Sequence, residues 1–526
     1  MDNFSNNSEN LQKLIDIGIA LSKEKNINKL LEKILIEARK ISHSDGGTLY
    51  LRTEDDRLNF EIMHNESKNI FFGGSYASVP EDKYYPVKLY IDNEPNLHSV
   101  SAVCALKGQT INIVDAYTDP NFDFSGPKGF DSKNNYRSKS FLNVPLKNHK
   151  DDVIGVLQLL NAQDENKNII SFSDDLVHLV ESLASQASIA LTNQLLIEEQ
   201  KHLFKSFIQL VAEALEKKDK TTGGHCTRVP QITMMVADAI NNAKNGKYKE
   251  FGFSDDEMEE LYVAGWLHDF GKVSTPEFIM NKATKLEGLY DKIDFVKLKL
   301  EILMRDKIIS FYRKKDKENQ IVDLDVLEKI KEDIIFLEKC NVGGENMEDS
   351  LKKRVMDIAK QQITIDGENR NLLSDKEVES LNISRGTLTD EDFVIMKQHV
   401  ELTYELLDKL PYPKHLSKVP FYAACHHEKI NGTGYPNGYK GDKLPLQARI
   451  IAIADVFEGL TAPDRPYKKG YNLSKAMNIL RSMALDNEID SDLFNLFIKE
   501  KIYLKYAQSS IDSTQIDEID ENKLLI

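Results

Sequence analysis

Seven side chains could do metal chemistry: His225 in TGGHCTRV, His268 and Asp269 in GWLHDFGK, His399 in KQHVELTYELL, His426 and His427 in HHEKINGTGYPNGY, and Asp455 in IAIADVFEGLT. A lone histidine in a helix is more often a satisfied polar residue than a ligand. Seven such groups on otherwise apolar helices change that judgement. Burying Asp269 and Asp455 beside Trp266, Leu267, Ile453 and Phe457 is costly unless cations compensate the charge. Imidazole plus carboxylate, with no thiolate, suits iron, manganese or zinc in a site open to water. The groups are too many for one ion. A pair of ions bridged by a carboxylate, about 3.5 to 4 Å apart, uses them economically.

The stretch 426–439 crowds two imidazoles against a glycine-rich turn. On a helix His426 and His427 point about 100° apart, so both reach one ion only where the helix ends or distorts. Gly432 and Gly434 permit positive φ and a close backbone approach, and Pro436 stiffens the exit. Tyr435 is expected beside the substrate. An anionic substrate also needs cations. In DRPYKKG, Arg465 and Lys468 stand one helical turn apart; Arg grips phosphate oxygens in a bidentate way and Lys acts as a point charge. Lys272, four residues after His268, falls on the same helical face. These local cations matter because the whole chain carries a formal charge of −16, from 68 basic and 84 acidic residues, which disfavours a nucleic acid polymer as partner.

The elements that must position these groups follow from length and pattern. At 526 residues and 41% apolar content, two or three domains are expected. Residues 10–43 read as two amphipathic helices, with Leu30, Leu31, Ile34, Ala38 and Ile41 on one stripe. GGTLYLR, LNFEIM, INIVDA, SFLNVPLKN and VIGVLQLLNAQ then read as strands, giving an α+β domain over 1–172. From Phe172 to Lys218 there is no proline or glycine. Positions at alternating steps of four and three, Leu176, Val180, Leu183, Ala187, Ala190, Gln194, Ile197, Lys201, Phe204, Ile208, Val211 and Leu215, are apolar but for Gln194 and Lys201. That period suits a parallel two-stranded coiled coil over 173–218 and hence a homodimer; a helix packed against its own domain is the plainer alternative. An all-α domain is expected over 219–500, with a helical hairpin inserted at 284–360 and a C-terminal tail at 501–526. Four scattered cysteines, the lack of a long apolar run and a polar amino terminus point to a cytoplasmic protein with no membrane span.

Two resemblances add to this reading. Through DGGTLYL, SFLNVPLKN, KDDVIGVLQLLNAQ and FSDDLVHLVESLASQASIAL, the first domain resembles a GAF domain, which implies a sensor with a pocket for a small ligand. The order H…HD…H…HH…D, with GTGYP at 432–436, resembles the HD-GYP phosphodiesterases of the HD phosphohydrolase superfamily. That resemblance implies hydrolysis of a cyclic dinucleotide, chiefly cyclic di-GMP to pGpG and onward to GMP, with divalent iron or manganese. It implies that His225, His268, Asp269 and Asp455 hold one ion and Asp269, His399, His426 and His427 the other. Asp269 and Lys272 become the catalytic residues, and Lys272, Tyr435, Arg465 and Lys468 contact the substrate. Thr221 stands where relatives with a third metal carry glutamate, so two metals are expected. Glu458 replaces a common aspartate and is expected to lie outside the ligand set. Two other classes of function remain: a catalytically silent cyclic-dinucleotide receptor, and a diiron oxygenase on the same helical frame.

Overall fold

The computed structural model describes residues 2–80, 83–218, 224–313, 324–344, 346–462 and 470–526. They fall into two compact units, one ending at Leu203 and one beginning at Phe204.

In the first unit, strands Ile70–Phe72, Arg57–Asn65, Ser44–Arg52, Val153–Gln163, Phe141–Lys147 and Ile111–Ile113 lie side by side in that order, each antiparallel to its neighbours. The period of two sorts their side chains. Leu49 and Leu157 enter one core, with Leu30, Leu31, Ile34 and Ala38 of helix Ile27–Ser42, while Tyr50 and Val156 enter the other, with Ala102 and Ala105 of helix Val100–Lys107. INIVDA is strand only as far as Ile113.

Helix Asp174–Lys218 spans 45 residues. Its sequence-predicted coiled-coil seam is occupied at home: Val180, Leu183 and Ala187 are buried in the first unit against Leu14, Ile17 and Leu21, and Ile208 is buried in the second unit's core. Val180, Leu183, Ala187 and Ile208 cover their own domains and are closed to a partner, whereas Ile197 on the same seam is exposed.

The second unit's core gathers helices His225–Asn241, Asp255–Leu267, Leu446–Thr461, Leu473–Leu485 and Ser491–Lys499. Two boundaries differ from expectation. Residues 501–526 are no tail: Ile502, Tyr503, Tyr506, Ala507 and Leu524 are buried in this core. The insertion also exceeds a hairpin ending at 360. Helices Ile293–Arg313, Leu324–Asn341, Asp349–Ala359 and Asp375–Leu381 enclose a core of their own, and strands Gln362–Ile365 and Glu368–Asn371 pair beside it. Ile363, Leu372, Leu373 and Leu381 are buried there, because a two-helix hairpin leaves one apolar face uncovered.

Candidate metal centre

The predicted ligands arrive at the ends or middles of five helices. His225 opens helix His225–Asn241, and His268 and Asp269 follow the last residue of helix Asp255–Leu267. His399 sits within helix Asp390–Leu407, and Asp455 within Leu446–Thr461. Helix Val419–Ala424 ends just before His426 and His427, which frees the two rings to turn the same way, 4.1 Å between centroids.

Asp269 lies at the centre. Its Oδ2 is 3.3 Å from His225 Nε2 and 3.4 Å from His268 Nε2; its Oδ1 is 3.5 Å from His399 Nε2 and 3.7 Å from His426 Nε2. The two oxygens of one carboxylate thus face two different pairs of imidazoles. Asp455 adds Oδ1 at 3.3 Å from His225 Nε2 and Oδ2 at 3.9 Å from His427 Nδ1. His427 therefore approaches Asp455 as well as the rings of His399 and His426.

The donor set fits metal ions. Ring nitrogens Nε2 of His399 and His426 are buried with no hydrogen-bond partner, which water-free burial penalises. Their Nδ1 atoms are committed to backbone carbonyls, Met396 at 2.5 Å and Ala423 at 2.7 Å, as His268 Nδ1 is to Gly265 at 2.7 Å. Such bonds fix the tautomer that turns Nε2 toward an ion. Two groups have ligand atoms within 4.8 Å of one another: His399, His426 and His427, and His225, His268 and Asp269. A cavity of about 250 Å³ opens beside them, lined by Asp269, Lys272, His427 and Asp455.

Electrostatics support the same use. Burial, then the neighbouring imidazoles, holds His426 well below its ordinary value, and burial brings His427 down to about 4. Both rings stay neutral, hence ligating, near pH 7. Burial pushes the Asp269 carboxyl up, but Lys272 and the adjacent histidines outweigh it and keep the acid ionised.

Local packing explains the precision. Gly271 N–H donates to Thr403 Oγ1 at 2.8 Å, and a Cβ on Gly271 would sit 1.9 Å from the His399 carbonyl oxygen. Only glycine lets the HD turn lie this close to the helix carrying His399. That turn, Phe270–Ser274, is a 3-10 helix, so Lys272 does not share an α-helical face with His268. Lys272 Nζ instead reaches Asp269 Oδ2 at 2.7 Å.

In the glycine-rich loop Gly432 takes φ 83°, and Gly434 presses against the backbone of His427 and Glu428. Buried Glu428 accepts from Asn437 N at 2.8 Å and Tyr439 N at 3.0 Å, which folds the loop back. The Tyr435 ring lies 4.9 Å from that of His427, and Lys397 Nζ 5.1 Å from the Tyr435 ring centroid. Thr221, Arg465 and Lys468 lie outside the described residues.

Sequence reasoning set Glu458 outside the ligand set but did not foresee its contact: it is buried and accepts from His225 Nδ1 at 2.5 Å, while its other oxygen is 2.8 Å from Arg228 Nε. Glu458 touches a predicted ligand directly. Its position three residues after Asp455, on the same helix face, was the available signal.

The fold and site define a class. Residues 26–191 match the GAF domain model and residues 376–493 the HD domain model, so the chain is a multidomain protein with an amino-terminal GAF fold, a helical linker and a carboxy-terminal helical HD domain. His399, His426, His427 and Asp455 lie within the HD match. Among relatives, a cyclic di-GMP phosphodiesterase response regulator of Xanthomonas campestris is 37% identical over 19% of this chain and 26% of its own length. A 3'3'-cGAMP-specific phosphodiesterase of Vibrio cholerae is 35% identical over 24% of this chain and 28% of its own. The chain thus spans about a quarter of the length of these relatives. Among solved structures, the GAF domain of an Acinetobacter phosphoenolpyruvate-protein phosphotransferase is 16% identical, covering 36% of this chain and 98% of that one, with a TM-score of 0.26. No helix among the described residues is long and apolar enough to cross a membrane.

Proposed function

We propose that this chain is a metal-dependent phosphodiesterase of the HD-GYP type that cleaves a cyclic dinucleotide, cyclic di-GMP first, to linear pGpG, with GMP the product of a second cut. One observation carries the reading: Asp269 presents one oxygen to His225 and His268 and the other to His399 and His426. In this reading His225, His268, Asp269 and Asp455 hold one divalent ion and Asp269, His399, His426 and His427 a second, iron or manganese. Bound there, the ions supply Lewis acidity and a water activated as nucleophile at neutral pH.

The chain's own residues do the rest. Lys272 holds Asp269 in place and brings positive charge to the cavity wall, where a phosphoryl oxygen gains charge during attack. Tyr435, packed on His427, shapes the side of the cavity that receives the nucleotide. Arg465 and Lys468 clamp the neighbouring phosphate. A small ligand in the GAF domain regulates turnover, in a cytoplasmic protein.

The test is anaerobic purification of the full chain, metal analysis, and incubation with cyclic di-GMP and 3'3'-cGAMP while products are separated. About two ions per chain and pGpG are expected. Metal-loaded protein that binds but never cleaves either dinucleotide would make it a receptor; oxygen consumption without cleavage would make it an oxygenase.

A further inference from the structure

Lys397 occupies a place that the metal chemistry does not use. It stands two residues before His399 on helix Asp390–Leu407, and its ammonium lies 4.5 Å from the Phe393 ring centroid and 5.1 Å from that of Tyr435. Tyr435 is in turn fixed against the metal centre: its ring lies 4.9 Å from that of His427, and its N–H donates to the His427 carbonyl at 3.2 Å. Among the described residues Lys397 forms no ion pair, although the chain has 84 acidic side chains against 68 basic ones. An exposed cation–π pair stabilises little, so the fold gains little from holding this ammonium there.

We propose that Lys397 reads a guanine base of the substrate, an inference that rests on the cyclic-dinucleotide reading above. A cyclic dinucleotide carries two bases, and with one phosphate over the metal centre a base must extend past the cavity wall. On the His427 side that wall continues through Tyr435 and Lys397 to Phe393, whose ring is 45% exposed. A phosphate there would give up its hydration beside two aromatic rings. A purine would instead stack on the open Phe393 ring. An ammonium at the purine edge selects guanine, which presents two acceptors there, O6 and N7; adenine replaces O6 with an N6 amino group, a donor like the ammonium itself. Cations that hold phosphate, such as Lys272 on the cavity wall, meet a group common to every cyclic dinucleotide and make no such distinction.

The test uses the full metal-loaded chain with cyclic di-GMP, 3'3'-cGAMP and cyclic di-AMP. Wild type should favour cyclic di-GMP over cyclic di-AMP by about 10-fold in kcat/KM. Because 3'3'-cGAMP has one guanine, it should bind one way round and be cut at one of its two phosphodiester bonds, giving one of the linear isomers pGpA and pApG in about tenfold excess. K397A should release the two isomers equally and lose the base preference, with metal content unchanged, while K397R keeps both. K397Q should move the preference toward adenine, since Gln pairs with adenine N6 and N7. A structural or phosphate-binding role for Lys397 would instead lower turnover of all three dinucleotides alike and leave the isomer ratio as it is. That result, or a wild type that yields equal isomers, overturns the proposal and leaves the phosphodiesterase reading standing. A wild type that cleaves none of the three overturns the proposed function, and dissociation constants of the same variants then decide the base reading; failure to bind any of them overturns both.

Discussion

Glu458 accepts a hydrogen bond from His225 Nδ1 at 2.5 Å, and this bond turns His225 Nε2 toward Asp269 and Asp455, 3.3 Å from each. Arg228 holds the other oxygen of Glu458 at 2.8 Å, so the carboxylate cannot swing away. Partners of this kind orient a ligand and raise its basicity. Glu458→Gln should retain the fold and lose metal affinity by about 10–100-fold, read by competition with a chromogenic chelator.

Substitutions at Asp269 and Lys272 should separate metal binding from turnover under the proposed function. Asp269→Ala should abolish metal loading, because four imidazoles lose the carboxylate they share. Lys272→Ala should keep the metal and lower kcat by about 100-fold, the loss expected when one charge-stabilising donor is removed. Metal analysis and steady-state kinetics on the same preparations distinguish the two.

Gly434→Ala should damage the loop. A Cβ there would meet Lys429 N at 2.3 Å and the His427 carbonyl oxygen at 2.6 Å, both backbone atoms that cannot step aside. A cost of about 1–3 kcal/mol in stability is expected, with His427 and Tyr435 displaced and turnover reduced. Gly288→Ala meets nothing within 4 Å and serves as the neutral comparison in the same thermal melts.

The inserted segment should unfold on its own terms. Leu300 and Leu337 are fully buried in its separate core. Leu337→Ala should cost about 2–5 kcal/mol, and hydrogen exchange should accelerate in helices Ile293–Arg313, Leu324–Asn341, Asp349–Ala359 and Asp375–Leu381 while amides around Asp455 stay protected. Equal acceleration in both regions would mean one cooperative unit.

Lys282 Nζ meets Asp392 Oδ2 at 2.6 Å. Burial pushes the Asp392 carboxyl up, but the Lys282 bond and the Thr389 N–H outweigh it and set the pKa below the ordinary value. A depressed carboxyl stabilises the fold above its unfolded pKa, about 4, and loses that contribution as pH falls through the folded value. Asp392→Asn should therefore be less stable than wild type at pH 7, and the gap should close as pH falls below about 4 in denaturant titrations.

Local pattern was enough for the strands of the first domain and the helices of the second, because periods of 2 and 3.6 are written in neighbouring residues. Chemical type and order picked out His225, His268, Asp269, His399, His426, His427 and Asp455 as candidates, and these side chains do come together in the fold. The insertion was legible only in part: its charged helices read correctly, but Ile363 and Leu372 reveal their core only once the chain has turned back on itself.

Which residues support those candidate ligands was decided by tertiary structure. Glu458 and His225 lie 233 residues apart, and Gly271 meets the backbone of the distant His399, so no local signal couples either pair. The same holds for helix Asp174–Lys218. Its sequence carries two apolar stripes of the same period, and either could be buried. Packing against Leu14, Ile17 and Leu21, far away in sequence, uses one stripe and leaves Ile189, Leu196 and Leu203 in water. Sequence periodicity names the faces a helix can bury; burial itself depends on which distant segments arrive to cover them.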